Sequence, residues 1–281
     1  MKLRIMVAIL CLANACALAP QRGTVPTVGD ATPLAIGETL LITSAALSER
    51  RRINVYMPPG YNEAASARFP VLYMPDGGLA EDFLHVAGLI QVSVGNGTMR
   101  PFILVGIENT ERRRDMTGPT TVKRDSSIAA RVGGSAAFRT FIRTELMPRI
   151  RERYRTTAET AIVGESLAGL FVMETFFLEP ALFDTYIAFD PSLWWNDRSL
   201  VRSAGDRLRA HSLPGKTVYL ASSGDAGLAD LLRSLAVDLG KSEAQGFRWF
   251  HEPMPRESHG TIYHPAALQA FRTVFKPAPA L

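Results

Sequence analysis

Cysteine is nearly absent from this chain of 281 residues, which has only Cys11 and Cys16, both close to the N-terminus. A disulfide framework within the body of the protein is therefore excluded. No cluster of cysteine and histidine has the spacing of a structural zinc site. The sequence thus predicts neither a metal nor a cofactor, and the stability of the fold has to come from its core.

The chain also lacks an apolar run long enough to span a bilayer comfortably. The longest run near the start, residues 5–12, follows Lys2 and Arg4 and precedes small residues at 13, 15, 17 and 19. This pattern predicts a signal peptide over residues 1–19, cleaved after Ala15 or Ala17. We expect a periplasmic or secreted protein with no stable membrane insertion after cleavage. A lipoprotein anchored through Cys16 is disfavoured, because the residues before it fit poorly.

Signals for nucleic-acid binding are missing too: there is no zinc-finger spacing, no helix-turn-helix pattern and no interleaved aromatic and basic stripe. The net charge of +4 and the pI of about 9.2 are only mildly basic. With 47% hydrophobic and 21% charged residues, the composition is that of a globular protein. We expect a flexible leader over residues 20–37 and one domain over residues 38–281.

Apolar runs and helical patterns alternate along that domain. Strands are predicted at 38–43, 52–57, 69–74, 102–107, 161–165, 186–189, 217–221 and 246–251. Helices are predicted at 83–94, 135–154 (interrupted by Pro148), 170–178, 199–210, 228–239 and 261–275. A long polar loop is expected at 108–134. The alternation indicates an α/β fold, with a mostly parallel central sheet and helices on both faces.

One strand ends in Gly164, Glu165 and Ser166, and an apolar helical segment follows. A serine between a strand and a helix is typical of a nucleophile raised above a sheet, although Ala168 replaces the second glycine of the usual G-x-S-x-G pattern. The alternative is that Ser166 caps the helix.

Two further residues at strand ends extend this pattern. Asp225 and His259 follow Ser166 in the chain order of a hydrolase triad. Histidine would take the serine proton, and a carboxylate would orient the histidine. Asp230 and Glu257 compete with Asp225, which is alternatively a turn residue.

An oxyanion intermediate needs N–H donors. We expect them from Leu167 and Gly78, with Leu79 as an alternative to Gly78. The other interpretation of this segment is an ordinary Gly-Gly turn.

Several segments together resemble the esterase branch of the α/β-hydrolases that includes siderophore esterases, esterase D, some feruloyl esterases and mycolyltransferases. They are RINVYMPPGY at 52–61, FPVLYMPDG at 69–77, GESLAGLF at 164–171 and SHG at 258–260. VGIENT at 105–110, RRRD at 112–115 and DPSLWW at 190–195 are similar to the siderophore-esterase group. The resemblance implies the α/β-hydrolase fold. Glu165 departs from the histidine usual at that position, and some siderophore esterases are thought to use a Ser–His pair without a strong acid.

Arginines and tryptophans outside the triad are candidates for substrate contacts. Arg112, Arg113 and Arg114 would hold an anionic group, and Trp194 and Trp195 would stack on an aromatic acyl group. The alternative is a structural Arg–Asp network through Asp115 and a packed tryptophan pair. We expect an exported serine hydrolase that cleaves small-molecule carboxylic esters through an acyl-enzyme on Ser166. Siderophore-type and aryl esters are the candidate substrates. An acyltransferase and a catalytically silent binding protein are the alternatives.

Overall fold

The computed structural model describes residues 29, 31–242 and 246–277, so the predicted signal peptide and both cysteines lie outside the described residues. The larger compact unit of the chain begins at Ile36. Its centre is an eight-stranded sheet in the order β1-β2-β4-β3-β5-β6-β7-β8. Strand β2 pairs antiparallel with β1 and β4, and all other neighbours are parallel. The predicted α/β class and mostly parallel sheet are confirmed.

Each predicted strand is found, with ends that differ by a few residues. The strands are β1 (Glu38–Ser44), β2 (Glu49–Tyr56), β3 (Phe69–Pro75), β4 (Ile103–Ile107), β5 (Thr156–Glu165), β6 (Thr185–Phe189), β7 (Thr217–Ser222) and β8 (Arg248–Pro253). β1 alternates between exposed and half-buried residues because it forms an edge. β3, β4, β6 and β7 are buried throughout, as strands covered by helices on both faces must be.

The helices cover both faces of the sheet. They are α1 (Phe83–Gly95), α2 (Arg112–Asp115), α3 (Lys123–Ser126), α4 (Ser135–Phe141), α5 (Met147–Arg153), α6 (Ser166–Leu178), α7 (Trp195–Arg202), α8 (Ala204–Ala210), α9 (Ala226–Lys241) and α10 (Tyr263–Val274). Successive strand residues point to opposite faces. Val71 and Tyr73 therefore join one core with α4, α5, α6 and α9, whereas Leu72 and Met74 join a second core with α1 and α10.

Two predicted helices are interrupted. The helix expected at 135–154 contains a π-helical turn, Ile142–Leu146, immediately before Pro148 near the start of α5. Proline has no N–H to donate, and a widened turn accommodates the lost hydrogen bond. The helix expected at 199–210 is α7 and α8, and Asn196, Asp197 and Arg198 at the start of α7 have positive φ.

The long loop predicted at 108–134 is anchored to the rest of the fold. It contains α2 and α3, and buried Asp125 accepts a hydrogen bond from the Asn196 backbone N–H at 2.7 Å. Asp115, also buried, contacts the fully buried Arg51 of β2. These anchors bring the loop and the start of α7 to the C-terminal ends of the parallel strands, where ligands bind in open α/β sheets.

Candidate active site

Ser166 lies at the sharp turn between β5 and α6. Its φ is +59°, in the left-handed region that residues with a side chain seldom adopt. The Ser166 Oγ lies 3.1 Å from Nε2 of His259 and 3.4 Å from Oγ of Ser192. The residue before it, Glu165, occupies the N-cap position, and no side chain caps the helix. The hydroxyl therefore faces the histidine, and the helix-cap interpretation of Ser166 is not supported.

Small residues allow this turn because the strand and the helix nearly touch. A Cβ on Gly164 would lie 2.7 Å from the Ala168 carbonyl carbon, and one on Gly169 would lie 3.1 Å from the Phe189 carbonyl oxygen. Ala168 is fully buried. Its methyl group fits where the usual motif has glycine, so this departure leaves the geometry of the turn intact.

His259 lies in the loop between β8 and α10 and has a partner on each ring nitrogen. Nε2 faces Ser166, and Nδ1 lies 3.2 Å from Oδ2 of Asp190. Asp190 follows β6, has a φ of +39° and is fully buried. Its second oxygen, Oδ1, accepts the Ser223 backbone N–H at 2.7 Å. Serine, imidazole and carboxylate thus form a continuous line of hydrogen-bonding groups.

The electrostatics of this line favour a charged carboxylate beside a basic imidazole. Burial raises the pKa of Asp190, but hydrogen bonds from His259 and Ser223 outweigh burial and leave the pKa below its ordinary value. The hydrogen bond to Asp190 raises the pKa of His259 against the opposing effect of burial, and Glu165, Asp190 and Asp225 add to the rise by charge. An imidazole with these neighbours readily accepts a proton from serine.

The structure corrects the expected position of the acid. Asp225 caps α9, where its Oδ1 accepts the backbone N–H groups of Gly227 and Leu228 at 3.0 and 3.1 Å. Asp190, and not Asp225, contacts the imidazole. The carboxylate of Asp225 satisfies free N–H groups at a helix start, a strong preference of aspartate that the strand-end pattern does not reveal.

The other two candidate acids also lie elsewhere. Asp230 pairs with Arg233, and Glu257 accepts a hydrogen bond from Thr261 at 2.7 Å. Asp190 stands directly after a buried strand and before Pro191. That strand-end position was the signal available in the sequence.

Glu165 is a second carboxylate beside the histidine. Its Oε1 lies 3.2 Å from Nε2 of His259, on the same nitrogen that Ser166 faces. Burial raises the pKa of Glu165 to about 7, although the charges of His259 and Arg112 oppose the rise. Glu165 is therefore harder to ionise than an exposed glutamate.

The two expected oxyanion donors differ in their surroundings. Leu167, at the second residue of α6, lines the cleft above Ser166. The Gly78 N–H donates to the Glu81 carboxylate at 2.6 Å, and Leu79 has an exposed side chain. Gly77 packs so tightly that a Cβ would lie 2.2 Å from the Gly106 Cα. In this conformation the Gly78 amide is occupied by a neighbouring side chain, and its role as an oxyanion donor stays a prediction.

A cleft of about 650 Å³ opens above Ser166 and His259. Leu228, Leu231 and Ile128 supply apolar lining. The other lining residues with long or polar side chains are Arg112, Arg113, Ser192, Trp194, Arg198 and Asp225. A mostly apolar cleft with a few cations suits a small organic ligand that carries negative charge.

The three consecutive arginines have different surroundings. Arg112 lines the cleft but binds Asp76 through two hydrogen bonds of 2.7 and 2.8 Å. Arg114 binds Glu49 and Asp115 and does not line the cleft. Arg113 lines the cleft, and no carboxylate pairs with it among the described residues.

The start of α7 adds a cation that sequence reasoning missed. Arg198 lines the cleft, and the described part of the chain provides no ion-pair partner for it. Trp194 lines the same cleft, whereas Trp195 is buried and donates its indole N–H to the Gly118 carbonyl at 2.9 Å. The substrate-contact hypothesis therefore fits Arg113 and Trp194, and the structural alternative fits Arg114 and Trp195.

Within residues 31–242 and 246–277, no group of three or more His, Cys, Asp or Glu side chains is arranged to hold a metal ion. No helix in the described ranges is both long and apolar enough to cross a bilayer.

Comparison with known proteins gives a consistent picture. Residues 44–237 match the family model described as putative esterase. The ferri-bacillibactin esterase BesA of Bacillus subtilis is 27% identical over 188 residues, which cover 60% of this chain and 63% of that protein. The chain thus spans slightly less than two thirds of this curated relative.

Two solved structures show the same fold. An IroE-like serine hydrolase from Shewanella oneidensis superimposes with a TM-score of 0.78 at 28% identity, covering 85% of this chain and 80% of that one. The BES protein from Bacillus cereus gives a TM-score of 0.77 at 20% identity, covering 90% and 100%. The architecture is the α/β-hydrolase fold.

Proposed function

Because the chain belongs to the putative esterase family, we propose that it is a serine hydrolase that cleaves carboxylic esters through an acyl-enzyme on Ser166. The observation that carries this proposal is the line from Ser166 Oγ to His259 Nε2 at 3.1 Å and from His259 Nδ1 to buried Asp190 at 3.2 Å. A serine hydroxyl is a weak nucleophile unless a base removes its proton, and this geometry supplies the base and its orienting acid.

The reaction follows from the positions of these groups. Ser166 Oγ attacks the ester carbonyl carbon while its proton passes to Nε2 of His259. Asp190 stabilises the imidazolium through Nδ1, and the Leu167 amide, in the first turn of α6, donates to the oxyanion. Collapse of the intermediate breaks the ester bond, and Nε2 gives its proton to the departing alcohol. A water molecule, deprotonated by the same histidine, then attacks the acyl carbon. The bond from that carbon to Ser166 Oγ breaks, the acid leaves, and Nε2 returns its proton to Ser166 Oγ.

For the substrate, we propose an ester of the siderophore type. The named activity of BesA supports this choice, as does a cleft lined by Trp194 and by two arginines, 113 and 198, whose charges no described carboxylate neutralises. Guanidinium groups bind phenolate and carboxylate oxygens well, and an indole ring stacks on aromatic acyl groups.

The experiment for the reaction combines turnover with active-site labelling. The wild-type protein is expected to hydrolyse an aryl ester and to carry a fluorophosphonate label on the peptide that contains residue 166. Ser166→Ala should abolish both, with an unchanged melting temperature. Full esterase activity in Ser166→Ala would refute the assignment. Specific ligand binding without turnover or labelling would instead support a binding protein.

A substrate panel tests the second part of the proposal. Rates are compared for a catecholate trilactone, a hydroxycinnamate ester and a short-chain acyl ester, each with and without its iron complex where one forms. The trilactone should have the largest kcat/KM. A preference for the short-chain ester would contradict the siderophore-type assignment without affecting the hydrolase mechanism. Transfer of the acyl group to an added alcohol in place of water would favour an acyltransferase.

We also propose that the protein is exported, on the basis of the signal pattern over residues 1–19. Mass spectrometry of the protein recovered from a bacterial periplasmic fraction should show a new N-terminus after residue 15 or 17. An intact N-terminus in the cytoplasmic fraction would contradict export.

A further inference from the structure

Three carboxylates lie close to the turn that carries Ser166, and two of them have strong partners. Asp76 is bound by Arg112 through two hydrogen bonds, and Asp190 accepts from Ser223 and contacts His259. The third, Glu165, has a buried Oε1 for which the described residues provide no hydrogen-bond donor of good geometry. That oxygen lies 3.2 Å from Nε2 of His259.

A buried carboxylate oxygen without a donor is costly, and charged groups are rarely left in this state unless another charge compensates. Arg112 also favours the charge of Glu165, but its guanidinium hydrogen-bonds to Asp76, so the cation that contacts this oxygen directly is protonated His259. Nε2 then carries an N–H that faces both Ser166 Oγ at 3.1 Å and Glu165 Oε1 at 3.2 Å. A neutral imidazole that donates its Nδ1–H to Asp190 offers Glu165 no such hydrogen.

We propose that Glu165 is a positioning residue that acts through His259, stabilising the imidazolium at Nε2 and setting the pH below which the imidazole no longer accepts the Ser166 proton. The inference rests on the proposed function of Ser166 as the nucleophile. It assigns a role to the residue directly before Ser166.

The proton balance of the reaction is unchanged by this role. The Ser166 proton moves to Nε2 as the new carbon–oxygen bond forms, and it leaves Nε2 with the departing alcohol. Glu165 neither gains nor loses a proton in these steps. During the interval, the imidazolium has a carboxylate on each side: Asp190 at Nδ1 and Glu165 at Nε2.

The charges around Glu165 determine the sign of the effect. Asp76 at the end of β3 and Asp190 at the end of β6 disfavour its ionised form, whereas Arg112 in α2 and His259 favour it. The Tyr263 phenol in α10 is buried nearby and stays neutral. Arg112 is already engaged by Asp76, and Asp190 contacts the opposite ring nitrogen of His259, so Nε2 is where Glu165 meets the imidazole.

Ionised Glu165 raises the pKa of His259, together with Asp190 and Asp225. The base form of His259 is therefore lost at a higher pH than it would be without this carboxylate. Removing the charge of Glu165 has to lower the pKa of His259 and move the acidic limb of kcat/KM to lower pH, since that limb reports the free enzyme's base.

The first test is the pH profile of Glu165→Gln, which keeps the size of the side chain. The midpoint of the acidic limb should fall by about one pH unit, a tenfold change in the proton affinity of His259. Glu257→Gln is the matched control, because it removes a carboxylate close in sequence whose described partner is Thr261. Its acidic limb should coincide with that of the wild type. An unchanged limb in Glu165→Gln would overturn the proposal.

The second test needs no turnover, so the two proposals are tested separately. The pKa of His259 is measured by NMR in Ser166→Ala and in the double variant Ser166→Ala/Glu165→Gln, with His251 and His264 as internal references. The double variant should give the lower value. Equal values would overturn the role of Glu165. Absence of ester turnover in the wild-type protein, with the NMR difference present, would refute the hydrolase and leave the Glu165–His259 interaction standing.

Discussion

Replacing Asp190 with asparagine tests the assignment of the acid most directly. The substitution removes the charge at Nδ1 of His259 but keeps an oxygen that accepts the Ser223 N–H, now 2.7 Å from Oδ1. The fold should therefore be retained. What is lost is the stabilisation of the imidazolium that forms as Ser166 attacks.

The size of this loss follows from the geometry. Opposite charges about 4 Å apart interact by about 4 kcal/mol at an effective dielectric constant of about 20. The His259 side chain is 42% exposed, so water reduces this value. Since about 1.4 kcal/mol corresponds to a tenfold change in rate, we expect kcat/KM to fall by about 10²- to 10³-fold. The pKa of His259 should fall as well, because its hydrogen bond to Asp190 is the main cause of the rise.

Asp225→Asn is the matched control. Asparagine caps helices as well as aspartate does, so α9 keeps its N-terminal hydrogen bonds. The carboxylate lines the cleft without a hydrogen bond to the imidazole, and kcat/KM for a neutral aryl ester should stay within about threefold of the wild type. Equal losses in the two variants, or full activity in Asp190→Asn, would refute the assignment of Asp190 as the orienting acid.

Two further predictions concern the cleft and the turn. Arg113→Gln and Arg198→Gln should each raise KM for an anionic ester about tenfold in steady-state kinetics and leave KM for a neutral ester unchanged. Arg202→Gln is the control, because it only breaks a surface ion pair with Asp197, and it should change KM for neither ester. Gly164→Ala should lower the free energy of unfolding by about 2–3 kcal/mol in denaturant titrations, because the new Cβ would lie 2.7 Å from Ala168. Gly88→Ala in α1 should raise the free energy of unfolding by about 0.5–1 kcal/mol, because the new Cβ would meet open space. Similar effects from Gly164→Ala and Gly88→Ala would contradict the close approach of strand and helix.

Periodicity alone was sufficient to predict the strands. Continuous apolar runs such as Phe69–Pro75 are recognisable because both faces of a central parallel strand are buried. The long-range order of the strands was not contained in any local pattern. The interruptions of the helices could not be predicted from periodicity. The π turn before Pro148 and the positive φ angles at residues 196–198 depend on how those segments pack.

For the site, the sequence predicted the serine and histidine that the structure brings together, and it missed the carboxylate that contacts the histidine. Asp190 and Asp225 both follow buried strands and both precede His259 in the chain. Only the fold shows that Asp225 turns its carboxylate towards the first N–H groups of α9, whereas Asp190 is held below the imidazole by the Ser223 N–H. Local spacing cannot separate two aspartates whose difference is the direction of one side chain.

In the helix Arg112–Asp115, too, the sequence does not show which side chains face the cleft. The structure indicates which of its arginines could bind an anionic group. Successive residues of a helix point about 100° apart, so three neighbouring arginines cannot all face one cleft. Asp76 holds Arg112, and Glu49 with Asp115 holds Arg114. Arg113 is left to face the cleft, and Arg198 reaches it from the left-handed start of α7. Arg113 and Arg198 thus line the cleft from separate segments, and no carboxylate among the described residues pairs with either of them. Unpaired cations attract an anion more strongly than arginines already paired with carboxylates. The substitutions at 113 and 198, and not those at 112 or 114, should therefore discriminate between charged and neutral esters.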